Sequence, residues 1–479
     1  DLPMFKKTLL ATLVASSLLA GCGSDSDNDS APANPSSLAD IVPAEGALLP
    51  YSVLRSDLID ASDQQPFEVR NGGFGSAMTA DPEADRRFYA LTDRGPNATY
   101  TGNYGKGKKF PTPEYTPRIG HFEVTDDGEV VLLNEILLKR PDGTLITGLP
   151  NSDGLGGTGE TPYNADGSPI LVDPSSPYDE ESNPLRLDDY GLDGEGLVAL
   201  SDGTFWVSDE YGPHMVHFDA DGKEIERINP FVADSRNAHT LPAEFGHRRA
   251  NRGMEGLTIT PDEKTLVGIM QSTMDLPSKD VRALDITRIV TVDLESGRVG
   301  QYLYKQQKAQ NSNSELAALS ENQFLVLERD GKFLYGGPDG VDAATPDAQK
   351  HVYRIDLTTG TNLEELAVGG DLVQDDALGL TINGETLEQV VMNQGWQALA
   401  AHNIVPVEKS LVVDMVAQVS YPHDKMEGLW VIDSETLGVL NDDDFATWSV
   451  DGELVQKRLD SNTIDGNRLY VVPADLSVQ

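Results

Sequence analysis

The sequence predicts an all-β fold, a β-propeller of five or six four-stranded blades with loop insertions. Three observations predict it. A hairpin-like unit recurs along the chain, alternating strands follow each copy, and long helical periodicity is nearly absent except around Gly384–Ala401.

The unit is a short apolar strand, a polar turn, then a β-branched and aromatic strand. One copy runs Glu195-Gly196-Leu197-Val198-Ala199-Leu200, then Ser-Asp-Gly, then Thr204 to Glu210. Others begin at Glu255-Gly256-Leu257, Glu315-Leu316-Ala317 and Glu427-Gly428-Leu429. A weaker copy without the Glu spans Gly75 to Arg94. Glu195, Glu255 and Glu315 are sixty residues apart. Strands such as His121-Phe-Glu-Val124 and Arg288-Ile-Val-Thr-Val292 follow, each entering an Asp/Gly turn. Four antiparallel strands per unit, repeated radially, make propeller blades. The last blade is expected to be completed by Arg468–Val472 and by an N-terminal strand near Tyr51–Leu58. Insertions are expected at about residues 139–190 and 358–407.

In such a ring the first strand of each blade lines the central channel. An antiparallel hairpin sets the start of its first strand beside the end of its second. Glu195, Glu255, Glu315 and Glu427 are therefore expected to converge at one channel mouth. Asp93, Asp209, Glu210, Glu328 and Asp442 are expected around them. So many carboxylates cannot stay ionised together at low dielectric without protons or cations. Hard oxygen donors favour Ca²⁺, in one or several copies, ahead of Mg²⁺. The alternative is that the repeated Glu are structural, satisfied by backbone amides.

Arg94, Arg252, Arg329 and Lys425 are interleaved with these acids, and Arg forks match phosphate or carboxylate oxygens. Lys106, Lys108 and Lys109 form a rare basic patch in the loop after Asp93. Gly154-Leu-Gly-Gly-Thr-Gly159 matches a dinucleotide fingerprint in spacing only, since no strand precedes it and no helix follows. Lys+Arg 36 against Asp+Glu 78 gives a net charge of −42, which repels nucleic acid and suits cation binding.

Near the start, Lys6 and Lys7 precede an uncharged apolar stretch, Thr8–Leu19, too short to span a bilayer comfortably. It ends in Leu19-Ala-Gly-Cys22, which resembles the lipobox of bacterial lipoproteins. Residues 1–22 therefore read as a lipoprotein signal peptide with Cys22 as the lipid-bearing thiol. Gly23, not Asp, follows it, which points to the outer membrane, facing periplasm or cell exterior. Residues 23–44 read as a disordered acidic tether and 45–479 as the propeller. Cys22 is the single cysteine, so disulfides, zinc–cysteine sites and thiol nucleophiles are excluded from the rest of the chain.

Several of these segments together resemble the family described as esterase-like activity of phytase. They are Leu91-Thr-Asp-Arg-Gly-Pro-Asn97, Ser208-Asp-Glu-Tyr-Gly-Pro213, Arg252-Gly-Met-Glu-Gly-Leu257, Leu327-Glu-Arg-Asp330 and Lys425-Met-Glu-Gly-Leu429. Leu440-Asn-Asp-Asp-Asp-Phe445 also fits, with Asp where a second Asn is expected. The resemblance covers roughly residues 50–475 and implies a propeller and a metal-dependent phosphoester hydrolase.

The expectation is an exported Ca²⁺-dependent hydrolase of phosphate mono- or diesters. Glu210 would take a proton, and Arg94, Arg252 or Arg329 would stabilise developing charge. Glu195, Asp209, Glu255, Glu315, Glu427, Asp93, Glu328 and Asp442 would hold metal. Lys425, Tyr211 and Lys108 would contact a small anionic substrate. The protein would be a monomer that meets the membrane only through its lipid. Two other readings stay open: a calcium-dependent lactonase, and a non-catalytic ligand-binding surface propeller.

Overall fold

A computed structural model describes residues 36–479. Cys22, the segment read as a signal peptide and most of the segment read as a tether lie outside the described residues. Among the described residues the compact unit begins at Ser37, within the stretch read as tether. Leu38–Ile41 forms one helical turn capped by the Ser37 hydroxyl, and Leu38 and Val42 are buried in a core cluster with Phe122 and Val124. Two large apolar side chains in a polar stretch outweigh its composition.

Five sheets carry the repeat. The first pairs Ala77–Ala80, Arg87–Leu91, Arg118–Val124 and Val130–Leu137 in that order. The second runs Gly194–Ala199, Phe205–Asp209, Met215–Phe218 and Glu224–Asn229, with Asn237–Thr240 added parallel at its edge. The third runs Met254–Ile259, Thr265–Met270, Ile286–Asp293 and Val299–Lys305. The fourth runs Ser312–Ala318, Gln323–Arg329, Lys350–Asp356 and Glu408–Asp414. In the fifth, Gly428–Asp433 and Thr436–Leu440 are joined by Arg468–Pro473 and then by Ala47–Leu48. The first strands of these sheets neighbour one another in a closed circuit, so the architecture is mostly β and propeller-like.

The hydrophobic core follows from that circuit. Each gap between adjacent sheets holds its own apolar cluster. Between the fifth sheet and the first, Phe88 stacks on Phe122 at 5.2 Å and tilts against Trp430 at 5.1 Å. Both faces of the inner strands are covered, which is why Phe205–Asp209 is buried at every position.

Closure differs from expectation in one detail. Ser52–Arg55 is a strand, but it pairs with Val69–Asn71 in a separate ribbon. The strand that ties the N-terminal segment into the fifth sheet is Ala47–Leu48, registered on Leu469 and Arg468. Two residues suffice because the neighbouring Leu49 and Leu38 add buried apolar surface.

The insertions have distinct places. Residues 358–407 supply the helices Leu387–Gln394 and Trp396–Ala400, matching the helical periodicity around Gly384–Ala401. They pack on Ile286 and Leu303 of the third sheet. Residues 139–190 supply Thr161–Tyr163, which pairs parallel to Gly105–Lys109. Gly154–Gly159 is loop, with a single 3₁₀ turn at Asp153–Leu155.

Candidate functional site

Two of the repeated glutamates, Glu195 and Glu255, owe their position to bulges. In the second sheet Gly194 pairs with Asp209 and Gly196 with Ser208, leaving Glu195 as the extra residue. In the third, Met254 pairs with Met270 and Gly256 with Ile269, leaving Glu255. A bulge re-aims the side chain it carries. The glycine that follows is required by close approach. A Cβ on Gly196 would lie 2.2 Å from the Ser208 hydroxyl, and one on Gly256 2.6 Å from Ile269.

These elements open a cavity of about 360 Å³ at one end of the ring. Its lining includes Asp93, Asp193, Glu195, Glu210, Glu255, Glu427 and Asp444, with Arg94, Lys108, Arg252, Arg329 and Lys425. Seven carboxylates thus face five cations, and two hairpins, Ala98–Lys109 and Thr447–Gln456, meet over its rim.

Oxygens of Asp93, Asp193 and Glu195 lie within 4.8 Å of one another. Second carboxylate oxygens of Glu195, Glu255 and Glu427 are buried without a hydrogen-bond partner. Native interiors rarely leave such atoms unpaired, so the donor set fits a hard divalent cation. Burial pushes Glu195 well above the usual carboxylate range, and the charges of Glu427, Glu210 and Glu255 add to it. Burial, then Glu255 and Asp193, raises Glu210 in the same way. Burial, then Asp442 and Asp193, raises Asp93.

The cations divide into two groups. Arg94 approaches Asp193 at 3.4 Å and donates to Asn251 at 3.1 Å. Arg329 pairs with Glu427, and Lys425 bridges Asp442 at 3.2 Å and Asp444 at 2.6 Å. Arg252 and Lys108 form no ion pair among the described residues, although both line the cavity. Burial and the nearby Arg94 lower the Lys108 ammonium to about 8.

One wall is strained. Asp444, Phe445 and Ala446 have φ of 51°, 59° and 57°, a left-handed turn without glycine. Such residues cost on the order of 1–3 kcal/mol each and persist where the surroundings over-determine them. Here Lys425 and the fully buried Lys457 clamp Asp444 from two sides.

Five expected site residues stand elsewhere. Glu315 does not join the cluster. In the fourth sheet the bulged residue is Ser314, and Glu315 occupies the position held by glycine in the other copies. Its carboxylate accepts from the amides of Leu316 at 3.0 Å, Met78 at 3.3 Å and Leu257 at 3.5 Å. It therefore ties the first strands of the first, third and fourth sheets together through backbone amides, the structural alternative for a repeated Glu. Glu328 lies between sheets, paired with Lys409 at 2.9 Å and Tyr304 at 2.8 Å. Asp209 lies behind the cavity, accepting from the His214 amide at 2.8 Å. Asp442 contacts Lys425 but does not line the cavity. Tyr211 is buried and donates to the Gly148 carbonyl, with Arg94 6.0 Å above its ring. Of the basic patch, only Lys108 lines the cavity; Lys109 is buried against Tyr100 and Lys106 is exposed.

Asp193, Ser312, Asn251, Gln271 and Trp448 are site residues the sequence reading missed. Asp193 had a usable signal. It stands two residues before Glu195, and Lys425 stands likewise before Glu427.

The sequence profile of the phytase-like family, described as esterase-like activity of phytase, matches residues 69–445. The chain belongs to this family. Like the chain's own resemblance motifs, the match spans the cavity-lining segments from Asp93 to Phe445. This phytase-like chain is also 27% identical over 438 residues to an uncharacterized secreted protein of Arthroderma benhamiae, covering 76% of this chain and 82% of that protein. Among solved structures it is similar to the PQQ-bound aldose sugar dehydrogenase of Streptomyces coelicolor, at 10% identity and TM-score 0.29, over 90% of this chain and 100% of that one. Virginiamycin B lyase from Staphylococcus aureus is similar at 10% identity and TM-score 0.27, over 77% of this chain and 92% of that one.

Proposed function

We propose that this protein is an exported, metal-dependent phosphoester hydrolase built on a five-bladed propeller, with Ca²⁺ as the metal and a small phosphate ester as substrate. The observation that carries the reading is the pairing, in one cavity, of orphaned carboxylate oxygens with two cations that have no carboxylate partner. Five cations in the lining favour an anionic ester over a lactone, whose hydrolysis calls for few.

Asp93, Asp193 and Glu195 would hold the metal, with Glu255 and Glu427 completing its shell. When bound, such a cation supplies Lewis-acid charge and acidifies water. Arg252 and Lys108 bind the phosphoryl oxygens, and Arg94, braced by Asp193 and Asn251, faces the charge that develops on them. Water oxygen bonds to phosphorus while the bond from phosphorus to the ester oxygen breaks. Glu210 accepts the proton that water gives up, and that proton then reaches the departing alkoxide. The test is turnover of p-nitrophenyl phosphate and its bis-ester with Ca²⁺ or EDTA. No metal-dependent hydrolysis of either overturns the reading.

Metal binding has a readout apart from activity. Saturating Ca²⁺, at about 100 times its Kd, should raise the unfolding free energy by roughly 2.7 kcal/mol, because it binds only the folded cavity. Glu195→Gln should abolish most of that gain in urea unfolding. An equal gain in both proteins would remove Glu195 from the metal site.

Lys108 gives the pH dependence a sign. Its depressed ammonium is charged below about 8 and neutral above, so KM for an anionic ester should climb as pH rises through 8. Lys108→Met should raise KM about tenfold at pH 7 and flatten the climb. A KM profile identical to wild type would exclude Lys108 from substrate contact.

Export rests on the signal-like segment ending at Cys22 and on the secreted relative. We place the mature protein as a monomeric outer-membrane lipoprotein whose acidic surface turns nucleic acid away. Cys22→Ala should move it from the membrane fraction to the soluble one; retention in the membrane fraction would sink the lipid anchor.

A further inference from the structure

We infer that the preferred substrate is an ester of a single phosphate with a flat, apolar alcohol, such as an aryl group, and not a polyphosphorylated one. The inference rests on the phosphoester reading above and narrows it.

Charge sets the first limit. Of the five cations that face seven carboxylates in the lining, Arg94, Arg329 and Lys425 are already engaged by carboxylates. Only Arg252 and Lys108 then remain without carboxylate partners to meet substrate charge. One phosphate brings at most two negative charges, which these two cations match. Each further phosphate would enter an acid-lined cavity unpaired, and desolvating an unpaired charge is costly.

Shape sets the second. Trp448 and Phe445 are the aromatic rings of an otherwise polar lining. Phe445 is buried as the apex of the strained turn, whereas Trp448 is half-buried and presents its ring at the cavity rim. Trp448 is fixed without a ligand. It sits in the hairpin opposite Val455, meets Phe333 edge-on at 5.8 Å, and has Lys457 5.6 Å from its ring centroid. A rigid ring beside an anion pocket suits a planar apolar group bonded to the phosphate.

The full-length chain with Ca²⁺ should be assayed on phenyl phosphate, glycerol 2-phosphate and myo-inositol hexakisphosphate. Phenyl phosphate is expected to have the highest kcat/KM. Trp448→Ala should raise KM for phenyl phosphate about tenfold and change that for glycerol 2-phosphate less than twofold, while Trp448→Phe restores most of the difference. Thermal unfolding of both variants checks that the hairpin still folds. Hexakisphosphate turned over as well as phenyl phosphate overturns the inference and leaves the phosphoester reading standing. Calorimetry with phenylphosphonate, whose P–C bond resists hydrolysis, reads the ligand class even if no ester turns over. With an ester turned over, binding that Trp448→Ala weakens and Trp448→Phe keeps supports the inference; with none turned over, the same binding leaves only the ligand class standing and overturns the substrate claim. Absent binding, or binding indifferent to Trp448, overturns it.

Discussion

Glu210→Gln is expected to lower kcat on a phosphate ester by about 10²–10⁴-fold, the range for loss of a general base, while the protein becomes more stable. The amide keeps the shape of the side chain and cannot accept the proton released by attacking water. KM should stay within a few fold, since Glu210 is not assigned to metal or to phosphoryl oxygens. The stability gain follows from crowding. Glu210 is held in the cavity by the backbone of the second sheet, with its amide bonded to the Asp193 carbonyl at 2.9 Å, whatever its charge. Its buried carboxylate faces Glu255 and Asp193, so removing one negative charge relieves repulsion. A gain of about 1 kcal/mol in urea unfolding is expected, the usual sign of a residue kept for function at the expense of stability. Glu255→Gln should lose activity too, but with a weaker stability gain, because Gln271 already donates to that carboxylate. Turnover within tenfold of wild type in Glu210→Gln would remove it from the proton-transfer role. Lost activity together with lost stability would mark Glu210 as structural.

Most of this site was legible in the repeat, because hairpin geometry alone brings first-strand starts and second-strand ends to one face. Glu195, Glu255, Glu427, Asp93, Glu210, Arg94, Arg252, Arg329 and Lys425 all line the cavity as that geometry requires. Glu315 misled for a definable reason. Leu316 stands fifty-nine residues after Leu257, although Leu257 stands sixty after Leu197. The sixty-residue spacing of the glutamates therefore hid a one-residue deletion, and the missing glycine after Glu315 was its trace. A bulge makes such a slip decisive, since one step along an extended chain turns a side chain to the other face. Glu328 and Asp209 failed differently. Both stand at or next to the end of a second strand, but alternation along the strand aims Glu328 between sheets toward Lys409 and Asp209 toward the His214 amide of its own sheet. The left-handed turn at Asp444–Ala446 carries no Gly or Asn to announce it, so neither Phe445 nor Trp448 could be placed from sequence. Closure by Ala47–Leu48 was illegible because two residues carry no periodicity.

Arg288→Met is expected to cost about 3–5 kcal/mol, the range for breaking one partner of a buried ion pair, without touching the site. Arg288 lies on Ile286–Asp293 of the third sheet, away from the cavity lining. Its guanidinium grips Glu388 with two parallel bonds, Nε at 2.8 Å and Nη2 at 2.9 Å, and both side chains are 1% exposed. Nη1 donates to Gln301 at 3.1 Å, and Gln301 in turn donates to Glu244 and Glu364, each at 2.7 Å. Glu388 belongs to the helix Leu387–Gln394, which Thr386 and Gln389 close with a capping box. The pair thus fastens the 358–407 insertion to the ring from inside an apolar cluster that includes Ile286, Leu303 and Leu387. Methionine fills the space but strands the Glu388 carboxylate and the Gln301 oxygen without donors. Glu388→Leu alone should cost a similar amount by stranding the guanidinium. The double variant Arg288→Met/Glu388→Leu should recover most of the loss, since well-packed apolar residues often replace a buried pair at little cost. Urea unfolding measures all three, and limited proteolysis should cut residues 358–407 faster in the single variants. A single-variant cost below about 1 kcal/mol, or a double variant as unstable as the singles, would show that the insertion is held by its apolar contacts alone. Turnover of the folded fraction should be unchanged throughout, because no member of this network reaches the cavity.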